Sequence, residues 1–164
     1  GDVNVTFHIK EMKEAVEKMG GKLIEAHVAT SADVMQAAQS LVGRVQAIHI
    51  TSDNTTVSAF ESVVKVCNEN KIPLFTGDTG SVPRGAIAAY GLDYFLIGYT
   101  AGKQAAKILK GEKPGDVPAG MASGYSLWIN LKAAQIQGAK IDKAVAEKAA
   151  DKLWDEQGNV VKGK

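Results

Sequence analysis

Short apolar segments alternate with longer amphipathic segments along the first two thirds of this chain, and that alternation restricts its fold more than any other feature. Strands separated by helices form right-handed crossovers in a mostly parallel sheet that carries helices on both faces. We therefore predict an α/β fold with a doubly wound sheet. Apolar periodicity places strands at 22–28, 45–50, 72–75 and 86–90, and helices at 7–19, 34–41, 55–70 and 94–109.

The order of these elements is irregular at the start of the sequence. Crossover units begin with a strand, whereas this chain begins with a loop and a helix. We expect the first strand of the sheet to be missing from the sequence, or to be supplied from elsewhere, and we interpret the chain as a fragment.

The end of the chain differs in composition from the rest. Residues 111–124 are rich in glycine and proline, which indicates a linker between an α/β domain at 1–110 and a C-terminal segment at 125–164. So short a segment cannot form a core alone and must pack on the first domain or on a missing one. Within it we predict a strand at 126–130, helices at 131–137 and 142–153, and a turn at 157–158.

Charge and cysteine content exclude several kinds of function. The chain has 19 Lys and Arg residues against 18 Asp and Glu residues, so no basic surface for nucleic acid is expected. The single cysteine, Cys67, excludes a disulfide framework and a cysteine-ligated zinc site, and its position on an apolar helix stripe indicates core packing. The three histidines lack metal-ligand spacing, and His49 is expected inside the core. Since no nucleophile, phosphate-loop or dinucleotide motif is found, we expect no catalytic residue, metal or cofactor.

Polar loops follow the predicted strands at the points where ligands bind in open parallel sheets, beyond the carboxyl ends. Residues 51–56 (TSDNTT) follow one strand, 76–81 (TGDTGS) follow another, and Ser31 follows a third. Hydroxyl groups and backbone N–H groups suit a ligand carboxylate, and carboxylates suit an ammonium group or sugar hydroxyls. The sequence therefore predicts a site for a small zwitterion or polyol.

These polar residues also have an ordinary structural interpretation. Ser31, Asp53 and Asn54 are typical helix N-caps, and Asp78 between glycines is typical of a turn. The run of six polar residues at 51–56 exceeds what one cap needs, which favours ligand contact for Asp53 and Asn54. Both interpretations remain open for Asp78, and the aromatic side chains of Tyr94, Phe95 and Tyr99 are expected to serve packing.

Several motifs together resemble a known family. The stretch that begins SADVMQAAQSLVG and runs to KGEKPGDVP, followed by SLWINLKAAQIQG, is similar to ABC-transporter substrate-binding proteins that include tryptophan- and tyrosine-binding members. The likeness covers nearly the whole chain and is most specific at QAAQSLVG, SDNTTVSA, GDTGS and INLKAA. It implies the second lobe and C-terminal segment of a type I periplasmic-binding-protein fold, in which a hinge joins two similar lobes.

The resemblance also implies a function and a set of contact residues. In this family a small ligand lies between the lobes, and hinge closure traps it for delivery to a membrane permease. Asp53 and Asn54 match the family's polar pair, and Asp78 and Thr79 match its GDTG turn. To these the strand-end loops described above add the hydroxyl groups of Ser31 and Ser52 as candidate contacts. The implied ligand is an amino acid, with aromatic ones included. The implied location is the periplasm, or the outer surface of the membrane as a lipoprotein.

The sequence leaves two other functions open and also predicts that the chain associates with itself. The same fold forms effector-binding domains of sugar-responsive transcription repressors, and a flavodoxin-like enzyme domain has a similar sheet. The resemblance assigns the strand at 126–130 to the first lobe's sheet, so we expect it to lie unpaired in this chain. An unpaired apolar strand seeks another edge, which predicts a homodimer formed by exchange of the C-terminal segment.

Overall fold

The computed structural model describes residues 3–120 and 124–163, with side chains from Val5 onward. None of the helices in these ranges is long and apolar enough to cross a membrane. The α-helices are α1 (Val3–Lys18), α2 (Val34–Ser40), α3 (Asn54–Ser58), α4 (Phe60–Asn70), α5 (Tyr94–Leu109), α6 (Leu131–Ile136) and α7 (Lys143–Ala149). The strands are β1 (Ile48–Ile50), β2 (Leu74–Thr76), β3 (Ala88–Leu92), β4 (Tyr125–Asn130), β5 (Lys152–Trp154) and β6 (Val160–Lys162).

The six strands form one mixed sheet in the order β1-β2-β3-β4-β5-β6. Strands β1, β2 and β3 are parallel, and helix crossovers of the predicted kind connect β1 to β2. Strand β4 is antiparallel to β3, β5 is parallel to β4, and β6 is antiparallel to β5. The predicted α/β fold with a mostly parallel sheet is therefore confirmed.

The main core lies on one face of the sheet. Ile48 and Ile50 point to that face and pack against α2 and α4, where Phe60 and Cys67 are fully buried. Paired residues on neighbouring strands share a face, so His49 and Phe75 point to the opposite side. On that side α6 and α7 cover the β4 and β5 end of the sheet through Ile129, Leu153, Ala146 and Ala150. The periodicity of α4 thus predicts its buried stripe, including Cys67, correctly.

The C-terminal segment is held in the sheet. Leu127 pairs with Tyr90 and Ile129 pairs with Ala88, so β4 has β3 on one side and β5 on the other. The expectation of an unpaired strand at 126–130 is wrong, because the antiparallel edge of β3 accepts this strand within the same chain. The argument for a homodimer by exchange of this segment loses its premise for the same reason.

Three secondary-structure predictions are wrong for a physical reason in each case. Residues 22–28 form no strand, because β1 is the edge of the sheet and pairs only with β2, although Ile24 and Val28 still pack on the core. The helix predicted at 142–153 ends at Ala149, because pairing with β4 buries Leu153 and Trp154 in β5. The helix predicted at 55–70 is interrupted at Ala59, whose φ of −114° leaves the helical region.

One core assignment is also wrong. His49 lies in β1 as predicted, but its side chain lies on the face opposite the main core and is exposed, although enough protein surrounds the ring for burial to lower its pKa. Edge position and face, which periodicity alone does not reveal, decide its environment.

Candidate ligand-binding site

The two polar loops meet where β1 and β2 end. The backbone N–H of Gly77 donates to the carbonyl of Ile50 at 3.0 Å, which ties the loop after β2 to the end of β1. A Cβ atom at Gly77 would lie 3.5 Å from Oγ of Ser52, so the second loop passes directly against the first. Parallel pairing of the two strands therefore places Ser52, Asp53 and Asp78 at one edge of the sheet. We call this edge the polar rim.

Asp53 combines burial with a capping role. Its side chain is buried, and Oδ1 accepts hydrogen bonds from the backbone N–H of Thr56 at 2.9 Å and from its hydroxyl at 3.1 Å. The capping role that the sequence offered as an alternative is thus present at the start of α3. Asn54, the first residue of α3, has an exposed side chain.

Asp78 is organised by the turn that follows β2. One carboxylate oxygen accepts from the Ser81 hydroxyl at 2.7 Å and the other from the Gly80 N–H at 3.3 Å, while the Asp78 N–H donates to the Thr76 hydroxyl at 3.1 Å. The side chain remains half-buried at the polar rim. These contacts hold the carboxylate in place.

Thr79 has a different environment from its neighbour. Its side chain is buried, and its hydroxyl donates to the carbonyl of Leu92 at 3.4 Å. The hydroxyl therefore ties the turn to the end of β3. Of the two residues in the GDTG motif, the structure leaves the carboxylate of Asp78 nearer to solvent than the hydroxyl of Thr79.

Ser31 lies at the start of a short 3-10 turn, Ser31–Asp33, that contacts α3. The neighbouring Thr30 donates both its N–H, at 3.0 Å, and its hydroxyl, at 2.8 Å, to the carboxylate of Asp33. Thr30 and Asp33 therefore organise this turn, and Ser31 has an exposed side chain.

Tyr94 belongs to this site although sequence reasoning assigned it to packing. Burial raises the pKa of its phenol, and the charge of Asp78 and a hydrogen bond to Asp78 raise that pKa further. Tyr94 reaches the polar rim because Asp93 caps α5 immediately after β3, with Oδ1 accepting from the N–H groups of Phe95 and Leu96. The signal for it was present in the sequence, since Asp93 follows a predicted strand as Asp53 does.

A fixed cation stands beside the site. Arg84 donates to both carboxylate oxygens of Glu61, at 2.8 and 2.9 Å, and to the carbonyl of Val57 at 2.9 Å. The hydrogen bond to Glu61 is the main cause of the raised pKa of Arg84, and Asp78 makes a smaller contribution through its charge. Glu61 is thus the direct ion-pair partner of this guanidinium, and Asp78 acts on it only through its charge.

Other concave surfaces lie away from the polar rim. A depression of about 410 Å³ between α1 and residues 22–28 is lined by Val5, Ile9 and Lys10 among others, and by none of the predicted site residues. In the described ranges no group of three or more His, Cys, Asp or Glu side chains is arranged to hold a metal ion.

Comparisons with known proteins identify the family of this chain. A family model described as ABC transporter substrate binding protein matches residues 1–153. The chain is 36% identical over 144 residues to a tyrosine-binding protein of Clostridioides difficile, covering 86% of this chain and 42% of that protein. It is also 35% identical over 100 residues to an uncharacterized protein of Rickettsia prowazekii, covering 61% of this chain and 33% of that protein.

Solved structures also resemble this chain over about half of their length. A conserved domain protein of Vibrio cholerae superposes with a TM-score of 0.79 at 38% identity, covering 91% of this chain and 50% of that one. An ABC domain in complex with L-Trp from Streptococcus pneumonia also has a TM-score of 0.79, at 30% identity, covering 92% of this chain and 50% of that one. This chain thus spans about half the length of the relatives it matches. It belongs to the ABC transporter substrate-binding protein family.

Proposed function

We propose that this chain is the part of an extracytoplasmic solute-binding protein that receives an amino acid at the polar rim, for delivery to an ABC permease in the membrane. The observation that carries the proposal is the Asp78 carboxylate, which is half-buried at the junction of the two strand-end loops and forms no salt bridge with a described residue. A carboxylate held in this way is suited to a ligand ammonium group.

Each rim residue has a role in this proposal. Asp78 receives the ammonium group, with the Tyr94 hydroxyl beside it. The side chains of Asn54, Ser52 and Ser31, all exposed, provide hydrogen bonds to the ligand's remaining polar atoms. Asp53 adds negative charge from its capping position. Thr79 supports the turn through Leu92 instead of facing the ligand.

The names of the relatives support an aromatic amino acid as the ligand. One relative is named for binding tyrosine, and one similar structure holds L-Trp. We assign the strand-end surface of residues 1–110 to one wall of the site, residues 111–124 to a linker, and residues 125–164 to a segment toward a hinge and a second lobe. A protein with this role acts in the periplasm, or outside the cell as a lipoprotein.

A titration of the chain with L-tryptophan, followed by amide NMR shifts, tests the proposal. One wall of a two-lobe site gives weak binding, with an expected Kd of about 1 mM, or about 4 kcal/mol. We expect shifts at residues 51–56 and 76–81. Indole-3-propionate, which lacks the ammonium group, should give much smaller shifts at the same concentration.

Substitution of Asp78 gives the matched control. Asp78→Asn preserves the size of the side chain and should abolish the shifts caused by tryptophan. Asp116→Asn, in an exposed turn remote from the rim, should leave them unchanged. Shifts that survive Asp78→Asn, or that ribose produces as strongly as tryptophan, would reject the proposed ligand class.

A further inference from the structure

Arg84 joins the two polar loops of the rim. Its Nη2 donates to the Val57 carbonyl at 2.9 Å, across 27 positions of the sequence. Val57 lies in α3, the helix that begins at Asn54. Arg84 itself follows the 3-10 turn Thr79–Ser81, which Asp78 caps. One side chain therefore connects both of the elements that carry predicted ligand-binding residues.

A continuous series of hydrogen bonds runs through this contact. The Ser81 hydroxyl donates to the Asp78 carboxylate at 2.7 Å, and the Arg84 N–H donates to the Ser81 carbonyl at 3.2 Å. On the other side, the Val57 N–H donates to the Asp53 carbonyl at 2.9 Å. Together with the guanidinium contact, these hydrogen bonds connect Asp78 to Asp53.

Glu61 and Phe60 fix the orientation of the guanidinium. The Glu61 carboxylate accepts from Nε at 2.8 Å and from Nη2 at 2.9 Å, and Cζ of Arg84 lies 5.0 Å from the centroid of the buried Phe60 ring. A lysine ammonium cannot reproduce this planar, two-point geometry. The link between the loops therefore depends on the shape of the arginine side chain as well as on its charge.

We propose that Arg84 is a positioning residue for the ligand site, which holds the loops at 51–56 and 76–81 at the separation that the ligand needs. The inference rests on the proposed amino-acid site. A binding site needs its contact groups held in place by a supporting set of side chains, and the hydrogen bonds from Asp78 to Asp53 provide that support. Because Asp78 also interacts with Arg84 through its charge, geometry has to be separated from charge by experiment.

Substitution by lysine separates the two. Arg84→Lys keeps the positive charge but loses the forked hydrogen bonds. In the ligand-free chain we expect the amide NMR signals of both loops, at residues 53–57 and 78–81, to move. In the tryptophan titration, Kd should rise about 10-fold, the low end of the effect of residues that hold a binding group in place. Arg44→Lys, at the other arginine, which is exposed, should leave the loop signals and the Kd unchanged.

Substitution by glutamine gives opposite results for the two roles. Arg84→Gln removes a cation that repels a ligand ammonium group, so an effect of charge alone should strengthen tryptophan binding. A positioning role predicts weaker binding, as for Arg84→Lys. Both variants should also reduce the difference between the shifts caused by tryptophan and by indole-3-propionate, because Asp78 no longer lies where the ammonium group needs it. A general loss of stability, measured by urea denaturation, would not change that difference.

The inference and the proposed function fail in different ways. Absence of tryptophan-induced shifts in the unchanged chain would reject the proposed function, and the ligand role of Arg84 with it. Where the unchanged chain binds tryptophan, three results would each overturn the inference alone. These are a normal Kd in folded Arg84→Lys, tighter binding in Arg84→Gln, and movement of the signals of only one loop in Arg84→Lys.

Discussion

The side-chain carbonyl of Gln137 accepts a hydrogen bond from the backbone N–H of Leu74 at 2.8 Å, across 63 positions of the sequence. The same amide donates to the Asn68 side chain at 3.0 Å and to the Gly85 carbonyl at 2.9 Å. Gln137 is fully buried, so one side chain connects the end of α6 to the start of β2, to α4 and to the turn before β3. The C-terminal segment is therefore joined to the sheet by a completely satisfied polar group.

Replacement of Gln137 should loosen this attachment. Gln137→Leu keeps the volume but leaves the Leu74 N–H and the Gly85 carbonyl without their partner, which costs about 2–3 kcal/mol in the free energy of unfolding. Urea denaturation measures the loss. Gln135→Leu, at an exposed position of the same helix, should change stability by less than about 0.5 kcal/mol. Equal effects for the two variants would contradict the role given to Gln137.

Gly91 and Gly98 provide a second matched pair. A Cβ atom at Gly91 would clash with the Gly77 carbonyl oxygen, which belongs to the Asp78 turn, whereas a Cβ atom at Gly98 meets nothing within 4 Å. Gly91→Ala should therefore cost about 1–3 kcal/mol by overpacking. It should also move the NMR signals of residues 77–79. Gly98→Ala, inside α5, should instead stabilise the protein by about 0.5–1 kcal/mol.

Periodicity predicted helices both where one stripe is buried, as in α4, and where no residue is buried, as in α5. The bounds of α5 were predicted to the residue, and Cys67 was placed correctly in the core. Periodicity failed where strand pairing decides the structure. The helix predicted at 142–153 includes Lys152 and Leu153, but pairing with the neighbouring β4 makes them part of a strand. The same limitation hid the exposure of His49, which depends on β1 being an edge strand.

The sequence predicted which loops form the polar rim, but it did not predict the contacts that individual side chains make there. That two parallel strands end together follows from the fold class. The fold class does not reveal which hydroxyl group faces inward. Only the structure shows that the Thr79 hydroxyl donates to the Leu92 carbonyl and that Tyr94 lies beside Asp78. Whether Asp53 contacts a ligand in addition to its capping role stays a prediction.

Substitution of Asp53 separates these two roles. Asp53→Ala removes the acceptor of the Thr56 N–H and should cost about 0.5–2 kcal/mol in stability, whereas Asp53→Asn restores a capping oxygen and should be nearly as stable as the unchanged chain. If Asp53 also attracts the ligand, Asp53→Asn should weaken the tryptophan-induced NMR shifts at residues 51–56. Undiminished shifts in a stable Asp53→Asn chain would restrict this residue to capping.

Cys67 should report unfolding through its chemical reactivity. Burial among α4 and its neighbours raises the pKa of the thiol to about 12, and the thiolate is the reactive form. At pH 8 a disulfide reagent should therefore modify the folded chain only as fast as it opens, and should react rapidly in urea. The exposed position Glu69 gives the comparison, because Glu69→Cys should add one thiol that reacts in the folded state. Immediate modification of Cys67 without urea would show that α4 does not exclude solvent.

The same raised pKa predicts a loss of stability at alkaline pH. The thiol ionises near its ordinary pKa of about 8.5 in the unfolded chain, but only near 12 in the folded one. The contribution of Cys67 to stability is thus complete below pH 8.5 and decreases as the pH rises from there toward 12, since the unfolded state alone releases the proton. Each pH unit in this window removes up to about 1.4 kcal/mol. Other groups also titrate at high pH, so the measurement is the difference between the unchanged chain and Cys67→Ala. The unfolding free energy of Cys67→Ala should decrease less steeply between pH 8.5 and 10.5, and parallel slopes for the two chains would contradict the burial of the thiol.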